Sequence, residues 1–325
     1  MSSFFLLIFV IIQAWAMKVE AQKNIFILAG QSNMGGRGGV VNDTTTGVAT
    51  WDSVVPPQSQ PNPSILKLNA HLEWVEAQEP LHEDIDTLKT NGIGPGMVFA
   101  NHVLEKNLGF GLVGLVPCAT GGTNISEWER GKVLYKNMMK RVKASLLDDG
   151  GNIQALLWFQ GETDTVSLSD AQSYQTRVHK FFLDVRDDLQ SPLLPIIQVA
   201  LASGSGPYIE IVRQAQLGID LLNLKTVDAK GLPLQPDGLH LSSTAQVDLG
   251  KMMADAFLQF VPSSSTNPNI YHSVSPIRNE ASRSIRVSNC VSHMYMVPLF
   301  ITFVTVITLT FHCYYKKHNP TKIKK

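Results

Sequence analysis

The sequence predicts an α/β fold of three layers, in which a mostly parallel sheet lies between two layers of helices. Four apolar runs rich in β-branched residues lack the alternation of a half-exposed strand, so they are typical of strands buried on both faces. They span residues 24–29, 111–117, 153–159 and 193–201. Segments with helical periodicity separate them, and strands that alternate with helices favour a parallel sheet.

The helical segments lie at about 96–107, 131–147, 169–189 and 207–222, with a last one at 243–260. The last segment follows Leu241-Ser242-Ser243, which offers good N-cap chemistry. Residues 40–92 are long, turn-rich and partly acidic. We therefore expect them to form an insertion over one edge of the sheet.

Composition limits the classes of function. Over 325 residues, 27 basic side chains balance 27 acidic ones, whereas a nucleic-acid-binding protein normally carries a basic surplus. Apolar residues make up 44% of the chain, which suffices for a large core and argues against intrinsic disorder. Cys118, Cys290 and Cys313 lack the close spacing of a zinc site and cannot form a disulfide framework. We expect no nucleic-acid partner and no metal.

The two ends of the chain differ from its middle. Residues 4–12 form a short apolar run followed by small residues, so we assign residues 1–21 to a secretory signal peptide, with a buried strand or an anchor as the alternative. After the domain at 23–262, we expect a polar linker at 263–293, a single transmembrane segment at 295–315 and a basic tail at 316–325. A weakly selected tail or a misread transcript is the alternative for the transmembrane segment.

Polar and glycine residues follow three of the predicted strands. They begin at Gly30, at Ala119 and at Gln160. Because the carboxyl ends of parallel strands meet at one edge of the sheet, we expect these residues to form a site there.

Ser32 follows the first strand closely, with Gly30 two positions before it. A sharp turn there exposes the hydroxyl and frees nearby N–H groups, as a serine nucleophile requires. The nucleophile elbow has glycine on both sides of its serine, whereas Met34 stands at the second of these positions, so this is a different motif. Taken alone, Ser32 is better interpreted as a loop serine or a helix cap.

Asp237 and His240 stand three residues apart just before the last helix. One turn brings both side chains to the same side, where the carboxylate can orient the imidazole while the other ring nitrogen faces a serine. A surface turn with an unrelated histidine is the alternative.

Four blocks occur together and in order. They are Gly30-Gln31-Ser32-Asn33-Met34, Gly121-Gly122-Thr123, the stretch WFQGETD at 158–164, and Asp237-Gly238-Leu239-His240. With them, residues 23–262 resemble the SGNH-hydrolase superfamily, in the branch of sialate O-acetylesterases and acetylxylan esterases. Within that branch, the chain looks most like the plant carbohydrate esterases.

The resemblance implies that Ser32 is the nucleophile, His240 the general base and Asp237 its orienting carboxylate. It also implies an oxyanion hole that includes the backbone N–H of Ser32 and that of Gly121 or Gly122, with Gly122 preferred.

A side chain after the third predicted strand completes the implied oxyanion hole. The superfamily often has asparagine there, whereas the matching position here is Gln160, whose amide also offers a donor. We expect Gln31, Asn33 and Glu162 to support the site.

The resemblance implies removal of O-acetyl groups from a plant cell-wall-type carbohydrate through an acetyl-enzyme, with no cofactor. We expect the protein in the secretory pathway, extracellular or in the cell wall, or membrane-anchored with its catalytic domain on the lumenal or extracellular side. A non-catalytic carbohydrate-binding protein is one alternative, although such a protein has no need for the full set of Ser32, Asp237 and His240. An esterase for lipid or small-molecule esters is another.

Other features carry less weight. Glu162 and Asp164 resemble a glycosidase pair but are more often structural. Arg37 lies in a glycine run that lacks the ending of a phosphate loop, and we expect a flexible-loop role. Trp128 either stacks on a sugar or packs in the core. Asn42, in the sequon Asn42-Asp43-Thr44, is a better glycosylation candidate than Asn124, which lies beside the proposed site.

Overall fold

Strands and helices alternate along the chain in a computed structural model that describes residues 22–43, 45–147 and 151–261. The strands are β1 (Lys23–Gly30), β2 (Val40–Asn42), β3 (Ala49–Trp51), β4 (Ile65–Leu68), β5 (Trp74–Glu76), β6 (Val113–Pro117), β7 (Gly151–Phe159), β8 (Ile196–Ala200) and β9 (Leu224–Asp228). The α-helices are α1 (Ser32–Gly35), α2 (Gly96–Lys106), α3 (Val133–Ser145), α4 (Leu168–Asp188), α5 (Ile209–Leu217) and α6 (Ser243–Leu258).

Seven strands form one sheet in the order β5-β4-β6-β1-β7-β8-β9. All neighbours in it pair in parallel except β4 and β5, which are antiparallel. A separate antiparallel hairpin joins β2 to β3. The central position of β1 explains its continuous apolar sequence, because helices cover both faces of a parallel sheet. The predicted α/β class with a mostly parallel sheet is confirmed.

Two aromatic clusters hold the helices to the two faces of the sheet. On one face, Phe26 of β1 packs edge-on against Phe99 of α2 and Phe257 of α6, with both centroids 4.9 Å away. Trp158 of β7 pairs in register with Ala29 of β1. Because side chains alternate along a strand, position 29 faces the side of the sheet opposite to Phe26, and so does Trp158. There its ring lies 4.5 Å from that of Phe181 of α4. These contacts produce the expected three layers.

Polar caps set the start of two helices. The Ser242 side chain accepts a hydrogen bond from the N–H of Ala245 at 3.2 Å, as the N-cap chemistry before α6 predicted. Ser167 caps α4 in the same way, accepting from the N–H of Asp170 at 3.1 Å. Each cap satisfies a backbone donor that the first helical turn leaves without a partner.

Residues 40–92 differ from the expectation of an insertion lying over the sheet edge. They contribute β4 and β5 to the sheet itself, because β4 pairs with β6 beside the centre. The sequence also gave no sign of β9, which pairs with β8 at the opposite edge. Strands β4 and β9 are short and mixed in composition, so they lack the continuous apolar run that marks a central strand.

The assignments at 1–21, 263–293, 295–315 and 316–325 lie outside the described residues. Among the helices that the structure does describe, none has the length and apolar character needed to cross a bilayer.

Candidate active site

The turn after β1 requires glycine at position 30. Gly30 has a φ of +132°, and a Cβ there would lie 2.0 Å from the carbonyl oxygen of Phe159 in the adjacent strand. The chain then turns into the short helix α1, and Ser32 is its first residue. The turn thus places Ser32 at the carboxyl edge of the sheet, 6% exposed.

Asp237 shapes the turn that carries His240. One of its carboxylate oxygens, Oδ1, accepts the N–H groups of Leu239 and His240, each at 2.9 Å. The other, Oδ2, lies 2.6 Å from Nδ1 of His240. Partial burial by itself raises the pKa of Asp237, but these bonds and the nearby imidazole outweigh it and hold the pKa below the usual value. The carboxylate is therefore ionised where it orients the ring.

The second ring nitrogen of His240 faces the serine. Nε2 of His240 lies 2.9 Å from Oγ of Ser32, although the two residues are 208 positions apart in the chain. The three side chains that the sequence pointed to therefore form one continuous hydrogen-bonded row. In this geometry, the imidazole can accept a proton from the hydroxyl while the carboxylate stabilises the imidazolium that results.

Asn33 ties the serine turn to the histidine turn. Its Oδ1 accepts the N–H of Leu241 at 2.9 Å, and its Nδ2 lies 3.4 Å from the carbonyl oxygen of Leu239. These two contacts hold the backbone on both sides of His240. The same Nδ2 donates to Oε1 of Glu162 at 2.7 Å, so Glu162 fixes the orientation of the amide. Both side chains are fully buried, which agrees with their expected supporting role.

Glu162 and Asp164 lie in a region largely shielded from water. Burial raises the pKa of Glu162 to about 7, against the hydrogen bond from Asn33 that lowers it. Burial likewise raises the pKa of Asp164 to about 6. Asp164 accepts the N–H of Ile125 with both oxygens at 3.1 Å, which fixes the loop after the Gly121-Gly122 turn. Both carboxyls brace loops and do not form a glycosidase pair.

Gln160 lies among these buried polar side chains and is not exposed in the site. Its Nε2 faces three acceptors: Oδ2 of Asp164 at 2.6 Å, the carbonyl oxygen of Thr123 at 2.9 Å and Oε1 of Gln31 at 3.3 Å. The side chain is 0% exposed. Because an amide nitrogen has only two hydrogens, the expectation of an oxyanion donor at Gln160 does not agree with this arrangement. Gln31 supports the loop, since its Oε1 also accepts the N–H of Gly161.

The two N–H groups of the Gly121-Gly122 turn differ in their hydrogen bonding. Gly121 donates to Oδ2 of Asp86 at 3.1 Å, and a Cβ on it would lie 3.5 Å from that of Ser32. Within the described part of the chain, no group accepts a hydrogen bond from the N–H of Gly122. The hydrogen bonding therefore favours Gly122 over Gly121 as a donor to a substrate.

A buried ion pair supports this turn and was not expected from the sequence. Arg37 donates to Asp86, the same carboxylate that holds Gly121, and also to Oδ1 of Asn91 at 2.8 Å. Arg37 is therefore a fixed structural residue, and the expectation of a flexible-loop role for it was wrong. Arg37 and Asp86 lie 49 residues apart, and no local motif joins them.

The remaining candidates lie in the core. Trp128 is fully buried, with its ring 5.3 Å from that of Trp158 and its Nε1 donating to Oγ1 of Thr123, so it packs and does not stack on a sugar. Cys118 is a buried free thiol. Among the described residues, no group of three or more His, Cys, Asp or Glu side chains is arranged to hold a metal ion.

The family model of the carbohydrate esterases, described as sialic acid-specific acetylesterase, matches residues 22–259. The chain belongs to this family. The resemblance recognised from the sequence is thereby confirmed, and the protein is a carboxylic ester hydrolase of the carbohydrate esterase class.

Relatives of this carbohydrate esterase include a plant protein. A probable carbohydrate esterase of Arabidopsis thaliana is 54% identical over 235 residues, which cover 72% of this chain and 90% of that protein. An X-ray structure of a protein from Arabidopsis thaliana shares 53% identity with a TM-score of 0.71, covering 74% of this chain and 99% of the other.

More distant structures share the fold. NanS has 18% identity and a TM-score of 0.57, covering 74% of this chain and 97% of its own. A carbohydrate acetylesterase from Xanthomonas citri has 16% identity and a TM-score of 0.51, covering 73% of this chain and 56% of its own.

Proposed function

We propose that the protein is a serine esterase that removes O-acetyl groups from a carbohydrate through an acetyl-enzyme. One observation carries the proposal: the row in which Oγ of Ser32 lies 2.9 Å from Nε2 of His240, whose Nδ1 lies 2.6 Å from Asp237. A serine hydroxyl is a weak nucleophile, and this arrangement supplies the base that activates it.

In the first half of the reaction, His240 takes the proton of Ser32 as Oγ bonds to the ester carbonyl carbon. The tetrahedral intermediate collapses when the bond to the sugar oxygen breaks, and the imidazolium returns the proton to that oxygen. Asp237 stabilises the imidazolium throughout. In the second half, His240 takes a proton from water, the hydroxide attacks the acetyl group, and acetate leaves as Ser32 regains its proton.

The negative charge on the carbonyl oxygen needs fixed donors beside Ser32. We assign this role to the backbone N–H groups of Ser32 and Gly122. Gly121 is already bonded to Asp86, and the Gln160 amide is already bonded within the buried layer. The proposed oxyanion hole thus has two backbone donors, Ser32 and Gly122, and lacks the third donor that the sequence assigned to the side chain of Gln160.

The substrate we propose is an O-acetylated polysaccharide of the plant cell wall. The Arabidopsis relative, 54% identical and itself a probable carbohydrate esterase, supports a carbohydrate substrate. We also propose that residues 1–21 direct the protein into the secretory pathway and that 295–315 anchor it, with the catalytic domain on the lumenal or extracellular side. Protease digestion of intact and opened vesicles tests this: a domain degraded in intact vesicles would contradict it.

Hydrolysis of 4-nitrophenyl acetate and of acetylated xylan tests the reaction. Ser32→Ala and His240→Ala are each expected to lower kcat by at least roughly 1,000-fold, because the residues of a catalytic triad act as a unit. Ser205→Ala and His71→Ala, which change exposed residues of the same types, serve as matched controls and should retain activity. A folded parent that hydrolyses neither ester, or activity that survives Ser32→Ala, contradicts the proposal.

A further inference from the structure

A hollow of about 150 Å³ opens beside the ring of His240. The β2–β3 hairpin forms one wall, the turn at Lys89 and Thr90 forms another, and the loop that carries His240 closes the third. Its lining residues besides Arg37, Asp237 and His240 are Val40, Asn42, Ala49, Lys89, Thr90 and Gln235. We call this space the hairpin hollow.

The hairpin hollow has the mixed chemistry that suits a sugar. Val40 and Ala49 offer apolar surface to the C–H face of a pyranose ring, while the exposed side chains of Asn42 and Lys89 offer donors to its hydroxyls. The Thr90 hydroxyl donates to the carbonyl oxygen of Ala49 at 3.1 Å, so its lone pairs are left to accept. A pyranose ring has both apolar faces and polar edges, so it matches both kinds of group.

The size of the hairpin hollow fits one sugar unit. Pockets for drug-sized ligands start at roughly 300 Å³, about twice the volume of the hairpin hollow. The hollow therefore suits a single monosaccharide unit better than a longer segment, and the rest of a polymer would extend outwards into solvent.

The position of the hairpin hollow relates it to the leaving alcohol. The oxygen that leaves must receive its proton from Nε2 of His240, so the sugar that bears it has to lie against the imidazole. His240 and Asp237 line the hollow, whereas Ser32 and the Gly121-Gly122 turn, which we assign to the carbonyl oxygen, do not. The acetyl group would therefore lie outside the hollow, beside Ser32, while the sugar enters the hollow next to the imidazole.

We propose that the hairpin hollow binds the pyranose unit whose oxygen carries the acetyl group, with Asn42 and Lys89 as its hydrogen-bonding residues. The inference rests on the esterase function proposed above. It makes the hairpin the element that selects the sugar, separate from the residues that carry out the reaction.

Filling the hollow tests the proposal. Ala49→Trp places a large side chain in it, and Thr50→Trp is the matched control, because neighbouring residues of a strand point to opposite faces. Two acetyl esters are compared: acetylated xylo-oligosaccharides, and trifluoroethyl acetate, whose alcohol is too small to need the hollow. A glycan on Asn42, the glycosylation candidate that the sequence favoured, would lie in the hairpin hollow and is not compatible with this proposal, so the full chain is produced in a host without N-glycosylation.

We expect Ala49→Trp to lower kcat/KM for the oligosaccharide at least tenfold and to leave that for trifluoroethyl acetate within twofold, while Thr50→Trp changes neither. Asn42→Ala and Lys89→Ala should each raise KM for the oligosaccharide by roughly 2- to 10-fold, the loss expected for one hydrogen bond. These two variants decide the matter if Ala49→Trp does not fold. Equal losses on both esters, or no loss on the oligosaccharide, overturn the proposal.

A binding measurement separates this proposal from the reaction itself. In the Ser32→Ala background, titration calorimetry with acetylated xylo-oligosaccharides should detect binding that Ala49→Trp abolishes and Thr50→Trp retains. This result supports the hollow as a sugar site even if the parent shows no esterase activity. Binding that is the same in both tryptophan variants overturns the inference, whatever the fate of the proposed reaction.

Discussion

Exchanging donor and acceptor between Asn33 and Glu162 tests whether their hydrogen bond fixes the position of His240. The Asn33 amide donates to Oε1 of Glu162 at 2.7 Å and contacts the backbone on both sides of His240. Asn33→Asp keeps the acceptor for the N–H of Leu241 but turns the donor into a second carboxylate facing Glu162. Two carboxylates at hydrogen-bond distance in a buried site cannot both ionise, so one is held protonated or the loop shifts.

The magnitude follows from the bond that is lost. Above pH 7, where Glu162 is ionised, a hydrogen bond to its carboxylate contributes about 1.5–3 kcal/mol, and each 1.4 kcal/mol corresponds to roughly a factor of ten in rate. We expect Asn33→Asp to lower kcat/KM by roughly 10- to 100-fold and the free energy of unfolding by about 2 kcal/mol. Adding Glu162→Gln restores one donor and one acceptor in the reverse direction, and the coupling energy should be about 1–3 kcal/mol.

Urea denaturation and steady-state kinetics of the two single variants and the double variant measure this coupling. Asn24→Asp is the control, because Asn24 donates to the carbonyl oxygen of Phe110 at 2.6 Å at the other end of β1. It should lower stability and leave kcat/KM unchanged. If the losses in the double variant equal the sum of those in the single variants, the pair does not act as described.

The buried glutamates, the charge of Asp237 and the tight turn at Gly121 each lead to a further prediction. Burial raises the pKa of Glu79 to about 8 and that of Glu162 to about 7, from 4.5. Each carboxyl therefore binds its proton more tightly in the folded state, and stability should fall as pH rises from about 4.5 to 8. Urea midpoints measure this: Glu79→Gln should reduce the fall, and a rise would contradict it. Asp237→Asn removes the charge that stabilises the imidazolium, so kcat should fall by roughly 100- to 10,000-fold, and an unchanged kcat would argue against that role. Gly121→Ala places a Cβ 2.7 Å from Arg37 and should lower kcat/KM more than tenfold. Gly109→Ala, where the nearest atom to the Cβ position is 3.7 Å away, should not, and equal kcat/KM values in the two variants would contradict the role of the Gly121 turn.

The central part of the fold could be predicted because burial leaves a clear mark on the sequence. β1, β6, β7 and β8 are covered on both faces and consist of nearly continuous apolar residues. The edge strands carry no such mark. Leu224–Asp228 has only one fully buried position, so its alternation is too short to separate from a loop.

The row of Ser32, His240 and Asp237 could be found because strand ends and a short Asp-x-x-His turn are local features. The supporting layer depends on contacts between distant parts of the chain. The Arg37–Asp86 pair under Gly121 and the three acceptors around Gln160 exist only once the sheet is assembled. The position of Gln160 in the sequence matches that of a side-chain donor in the superfamily. It could not show that the Gln160 amide is already bonded to distant groups.

Labelling with a fluorophosphonate tests whether Ser32 is an activated nucleophile, because such reagents form a covalent bond with an activated serine. We expect the protein to lose esterase activity in step with the addition of one label, and peptide mapping to place that label on Ser32. His240→Ala should react far more slowly, since the base that activates Ser32 is gone. Full activity after exposure to the reagent, or a label on any other residue, would show that Ser32 is not the nucleophile.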